Sequence, residues 1–308
     1  MDLLDVVLDY DCNLKCSYCT ITDEMRRRGL DARVVAAEID RAARAGTRRL
    51  SITGGEPTIR PELLGLVRRA RRRGFEEVVV QTNGLLFAHL PNVEKAVEAG
   101  VTTVKISVHG YDGRPASWEA VTGAEPGTGR LFEQAVANVG ASPLRLEIDL
   151  ILMRSTLATI LPAMEALAPH GVDRFNLWLV SLTDRNAGNV AALPHLGTEV
   201  VPVLVQAFEW GRAQGIPVKS LHVPRCLLPG YEAHVEHPGA GQDVRVLTPD
   251  AAFQLSRSRL SGGHKPGRCR DCRYDALCPG LREDYVARYG DDEVQPVFPD
   301  AQPPARGP

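Results

Sequence analysis

The chain has 308 residues, 44% hydrophobic and 24% charged, enough apolar material for a full core and outside any disorder class. Its 36 basic and 38 acidic residues leave a formal net charge of -2, so no global field draws it to nucleic acid or to an anionic membrane. No stretch reaches the roughly 18 apolar residues of a membrane span, and the start MDLLDVVLDYDC has no basic segment before an apolar run, so the chain reads as cytoplasmic.

From residue 3 to about 215, apolar strand-like runs alternate with amphipathic segments, the pattern of repeated βα units around a parallel sheet. The strands expected are 3–9, 48–53, 76–82, 102–109, 144–152 and 173–180. Helices are expected at 32–45, 60–73, 91–99, 128–139, 156–169 and 199–214. Pro61 suits a first helical turn, and Gly46, Gly74, Gly100, Gly140, Gly171 and Gly215 stand where helices end in a left-handed cap. Six such units make a partial (β/α)6 TIM-like barrel, residues 1–215. On the last three strands Lys105, Ser107 and His109, then Arg145, Glu147 and Asp149, then Arg174, Asn176 and Trp178 alternate with apolar neighbours. The apolar set must meet the helices, so the polar set faces the barrel interior, as a ligand site or a self-satisfied network. After residue 215 the chain turns rich in Pro, Gly and His, which marks a small loop-rich module over 216–290, with a hairpin within 244–255. Residues 291–308 are Pro-rich and polar and read as a disordered tail, and the arginine runs 26–28 and 71–73 read as solvated faces.

Seven cysteines fall at 12, 16, 19, 226, 269, 272 and 278. An odd number, in two tight groups plus one outlier, argues for metal or redox work over disulfides. Cys12, Cys16 and Cys19 follow the first strand directly; three thiolates on a four-iron cluster leave one iron open to chelate a ligand, while the spacing alone leaves zinc possible. Cys-x3-Cys-x2-Cys after the first strand, with Tyr18 before the last Cys and Gly54-Gly55-Glu56-Pro57 ending the second strand, resembles the radical S-adenosylmethionine (SAM) superfamily. The resemblance implies that Cys12, Cys16 and Cys19 hold a [4Fe-4S] cluster whose open iron binds SAM. It implies SAM contacts from Tyr18, Gly54, Gly55, Glu56, Asn83 and Ser107, and reductive cleavage to a 5'-deoxyadenosyl radical, with flavodoxin or ferredoxin as electron donor. His109, Asp149, Asn176 and Trp178 would then face the substrate at the strand ends.

Cys269-x2-Cys272-x5-Cys278 with Cys226 makes a four-thiol set that suits a second [4Fe-4S] cluster or a structural zinc. The run resembles the SPASM and twitch extensions of radical SAM enzymes, which carry auxiliary clusters; Arg282 stands where SPASM continues with a further Cys, so the resemblance implies one auxiliary cluster. With all seven thiols committed, none remains as a hydrogen-atom donor, and the expected chemistry is net oxidation or bond formation on a peptide or small natural product. The chain begins at the first strand, which leaves no room for a leader-binding or cobalamin domain. The molybdopterin-precursor cyclase is the alternative, set against an Ala-Arg-Gly-Pro end where that family ends in a glycine pair. A non-catalytic iron-sulfur or zinc protein is the third reading.

Overall fold

The computed structural model describes residues 1–237, 241–257 and 263–298. Its elements run β1 (Leu3–Val7), α1 (Ala32–Arg44), β2 (Arg49–Thr53), α2 (Leu63–Arg72), β3 (Glu77–Thr82), α3 (Leu90–Ala99), β4 (Thr103–Ser107), α4 (Pro115–Thr122), α5 (Thr128–Gly140) and β5 (Arg145–Leu152). They continue with α6 (Ile160–Leu167), β6 (Arg174–Leu179), α7 (Val201–Gln214), β7 (Val218–Ser220), β8 (Val244–Leu247), β9 (Ala252–Gln254) and α8 (Glu283–Tyr289). The strands form one sheet in the order β7-β6-β5-β4-β3-β2-β1-β8-β9. Only the β8–β9 pair is antiparallel, which makes the fold the partial barrel that the βα alternation predicts.

Each strand divides its side chains as the alternation requires. Val104, Ile106, Leu146 and Ile148 are fully buried under the helices. Lys105, Glu147, Arg174, Asn176 and Trp178 instead line an interior cavity of ≈ 590 Å³. The helices form for local reasons. Asp31 caps α1 by accepting from the Arg33 N–H at 2.7 Å, and Val35, Ile39 and Ala42 supply the buried stripe.

Several expectations are corrected. Gly140 is the last residue of α5 and not a left-handed cap; a Cβ there would lie 1.7 Å from the His170 carbonyl oxygen, so close packing demands the glycine. Pro61 precedes α2 instead of opening it. Helix α4 was not foreseen because its buried face is narrow, Trp118 and Thr122 alone; Trp118 stacks on Phe132 at 5.1 Å and fixes it to α5.

The sheet does not stop at residue 215. β7 extends the far edge beside β6, and the predicted hairpin, β8–β9, pairs in parallel with β1. Residues 291–298 are packed instead of loose: Val294 is buried, Arg268 holds Asp291, and the Arg273 N–H donates to the Val297 carbonyl. The rest of the expected tail, 299–308, lies outside the described residues. Among the described residues no helix is long and apolar enough to cross a membrane.

Candidate active site

The loop after β1 carries the first three cysteines and is held from all sides by backbone. The Gly55 N–H donates to the Asp9 carbonyl at 2.9 Å and the Glu56 N–H to that of Asp11 at 2.7 Å. Lys15 and Ser17 donate to carbonyls of Thr122 and Val121, so the unforeseen α4 braces the loop. A Cβ on Gly55 would sit 2.0 Å from the Asp11 oxygen, and Gly54, at φ 151°, would place one 2.4 Å from that of Asp9. The glycine pair thus first makes room for the cysteine loop.

Arg26 belongs to a run expected to be solvated, yet it donates to the carbonyls of Cys12 and Leu14, both at 2.8 Å. Arg60 ties the two ends of the loop together through Asp9 and the Leu30 carbonyl.

Cys12, Cys16 and Cys19 line one pocket of ≈ 220 Å³ together with Tyr18, Gly54, Gly55, Asn83, Ser107 and His109. Burial, with the neighbouring thiols, pushes Cys16 up to about 11. Tyr18 meets His109 edge-on at 4.7 Å. Burial drives His109 down to about 3, so it is a neutral imidazole whose Nδ1 makes no hydrogen bond. Expected on the substrate side, His109 lines the cysteine pocket instead.

Glu56 does not line that pocket. One of its carboxylate oxygens accepts from the Thr58 N–H (3.0 Å) and from the hydroxyls of Thr58 (2.6 Å) and Thr82 (2.7 Å), and the other from the Asn83 N–H (2.7 Å). Both oxygens staple the end of β2 to that of β3, and the expected contact with SAM would have to reach a carboxylate that is fully buried behind the pocket wall. Asn83 in turn donates to Asn13 at 2.7 Å, joining β3 to the cysteine loop.

Gln81, which sequence reasoning passed over, lines both this pocket and the larger cavity. It stands between Val79 and Asn83 on the inward face of β3, a position the period of two would have flagged. Asp149 is buried and lines neither space, but is in register with Ser107 on β4, which lines the first, and with Asn176 on β6, which lines the second. The neighbouring cations are engaged elsewhere: Lys105 and Arg145 both pair with Glu147, at 3.2 and 3.8 Å. Asp149 receives Asn176 at 2.8 Å on Oδ1, while Oδ2 and the Trp178 indole N–H face one another without hydrogen-bond geometry. Burial pushes the Asp149 carboxyl up against the pull of Lys105.

The second cysteine group is brought together across the C-terminal segment. Cys226, Cys269, Cys272 and Cys278 line a small cavity of ≈ 30 Å³. Amides of Gly280 and Val297 donate to the sulfurs of Cys278 and Cys272, each at 3.4 Å. Burial, then the other three thiols, pushes Cys226 up to about 11. Arg282, in place of a further Cys, donates to the Leu179 carbonyl at 3.0 Å and to that of Val180 at 2.6 Å, and pairs with Asp284, docking this segment on the end of β6. Among the described residues no three Cys, His, Asp or Glu side chains are arranged around a single metal ion. Thiols of a four-iron cluster bind separate irons, and the all-sulfur donor sets fit that chemistry at both places.

Three loop thiols beneath a glycine pair, at the C-terminal end of a parallel barrel with a polar interior, define an α/β-barrel enzyme of the iron-sulfur class. Residues 9–139 match the family described as the Radical SAM superfamily. That match covers under half of the chain, and the radical SAM domain it marks implies a [4Fe-4S] cluster and bound SAM.

A protein of Sulfurisphaera tokodaii named "Probable GTP 3',8-cyclase" is 27% identical over 88% of this chain and 80% of its own length. One of the same name from Sulfolobus acidocaldarius is 32% identical over 46% of this chain, and the match spans only 45% of that relative. Among solved structures, SuiB of Streptococcus suis bound to S-adenosylmethionine superposes with a TM-score of 0.68 at 13% identity, over 96% of this chain and 76% of its own. Native anSMEcpe with bound AdoMet gives 0.66 at 14% identity, over 96% and 92%. These two likenesses establish the fold.

Proposed function

We propose that this chain cleaves SAM reductively and uses the product to take a hydrogen atom from a peptide side chain or small natural product held in the barrel interior. One observation carries the reading: the pocket that gathers Cys12, Cys16, Cys19 and the glycine pair meets the polar ≈ 590 Å³ cavity at Gln81. Bound together, the cluster and SAM supply the 5'-deoxyadenosyl radical. The chain's own residues do the rest. Cys12, Cys16 and Cys19 bind the cluster and leave one iron open; Tyr18, Gly54, Gly55, Asn83 and Ser107 form the walls that receive SAM, with Glu56 positioning Asn83 from behind. Asp149, Asn176 and Trp178 orient the substrate, His109 adds to the wall of the SAM pocket beside Tyr18, and the helix-covered barrel keeps water from the reacting centre.

In this reading the barrel, residues 1–215, works with a module at 216–290 whose Cys226, Cys269, Cys272 and Cys278 hold an auxiliary [4Fe-4S] cluster that accepts an electron from the substrate. A flavodoxin or ferredoxin in the cytoplasm supplies the reducing electron. A second reading, cyclisation of GTP, is favoured by the names of the sequence relatives.

The test is anaerobic reconstitution. Wild type is expected to hold about eight irons, and the Cys12→Ala/Cys16→Ala/Cys19→Ala variant about half of them. Reduced wild type should release methionine and 5'-deoxyadenosine, and the variant none. A triple variant that keeps all the iron, or a fully loaded wild type that never cleaves SAM, overturns the reading. Four irons with one zinc revises the second site alone, and GTP-dependent turnover selects the second reading.

A further inference from the structure

Resting on the reading that substrate occupies the barrel interior, we propose that Arg225 and His237 form an oxyanion subsite there, which binds a carboxylate or phosphate carried by the substrate. Arg225 lines both the interior cavity and the cavity of the second cysteine group, so the subsite lies where the two meet. Its guanidinium is held in place: one Nη donates to the Val235 carbonyl at 2.9 Å, and the group lies over the Tyr274 ring at 5.9 Å. The other Nη is buried and donates to nothing among the described residues.

The other basic groups of the cavity are taken. Arg49 pairs with Glu77, Lys105 and Arg145 with Glu147, and Arg174 with Glu236. Among the described residues no carboxylate pairs with Arg225. His237 is 7% exposed, lines the same cavity, and neither of its ring nitrogens has a hydrogen-bond partner among the described residues. Glu236, its neighbour in sequence, is held by Arg174 and Lys219 and does not neutralise the pair.

A buried donor without an acceptor is costly, and a guanidinium without an anion more so. Two such groups on one cavity wall are matched by a ligand that supplies anionic acceptors, and a guanidinium fork suits the paired oxygens of carboxylate or phosphate. An anion seated here anchors one end of the substrate beside the second cysteine group and leaves the remainder to reach toward Gln81 and the SAM pocket.

The test titrates inorganic phosphate and, separately, acetate into the reconstituted holoenzyme by calorimetry. One saturable site per chain is expected, weakened about tenfold or more in Arg225→Gln and in His237→Phe, and unchanged in Lys95→Gln, an exposed residue of α3. Tighter phosphate assigns a phosphorylated substrate and tighter acetate a carboxylic one. If Arg225→Gln loses second-site iron because Cys226 is its neighbour, His237→Phe decides. No saturable binding in wild type, or equal binding in the variants that retain iron, overturns the subsite. Substrate-free SAM cleavage on the same preparations separates the two claims: cleavage without anion binding sinks the subsite alone, whereas absent cleavage sinks the reading beneath it.

Discussion

Replacing Glu56 with Gln separates a staple from a ligand. Glu56 is fully buried and accepts four hydrogen bonds, three on one oxygen and one, from the Asn83 N–H, on the other. The amide does least harm with its NH2 turned to Asn83, where two donors then face each other. Losing a bond to a charged acceptor and leaving a buried N–H unpaired costs about 1.5–3 kcal/mol. Burial pushes the Glu56 carboxyl up, so removing the charge recovers part of a desolvation cost and keeps the expected loss near ~2 kcal/mol. For a chain of this size that lowers Tm by roughly 3 °C. The assay is calorimetric Tm of reconstituted protein, with SAM affinity measured alongside. As a staple, Glu56 costs stability first, with SAM binding weakened less than about tenfold because Asn83 shifts only slightly. An unchanged Tm with SAM binding weakened well beyond about tenfold would refute the staple and restore a direct contact with the methionine ammonium.

Arg282→Met removes the donor to the carbonyls of Leu179 and Val180 and leaves Asp284 with only the N–H groups of Leu182 and Tyr285, at a cost of about 3 kcal/mol. Proteolysis after residue 215 should accelerate and second-site iron should fall while the Cys12 group keeps its own; an unchanged digestion pattern would refute the docking role. Stability should also fall with acid through two histidines, the half-buried His222 and the buried His237, pushed down to about 3 and about 4 by desolvation and then by Arg282 and Arg225 respectively. Their folded values lie below the unfolded one of about 6.5, so the unfolded chain takes up protons that the fold refuses, costing up to about 1.4 kcal/mol per pH unit for each between 6.5 and the folded values. Urea midpoints of His222→Gln/His237→Gln should therefore decline less steeply than wild type from pH 6.5 to 4, and equal slopes would refute it.

The barrel was legible because its signals are periodic. Period-two alternation on β4, β5 and β6 identified the inward set, and Cys12, Cys16 and Cys19 are close enough in sequence to announce one site. What escaped lacks periodicity. Arg26 looks like any surface arginine until the loop folds back onto it, and Arg225 and His237 sit in Pro-rich irregular chain where spacing carries no information. His109 continues the inward alternation of β4, but the pattern fixes its face and not its depth, so it was assigned to the substrate when Tyr18 holds it in the cysteine pocket. Glu56 was misjudged because its partners, Thr82 and Asn83, come from another strand.

The parallel pairing of β1 with β8 joins Leu3 to Val244 and so sets an order of events during synthesis. β1 leaves the ribosome first and can pair with β2 almost at once, but its other edge stays open until residues 244–247 emerge. An apolar strand waiting with exposed N–H and C=O groups is a template for wrong partners. LLDVV carries Asp5 at its centre, pointing inward; burial pushes its carboxyl up in the finished barrel, a standing cost to the native state. On the waiting edge the same charge works in the other direction, since a neighbouring chain that added its own strand there would have to bury it too.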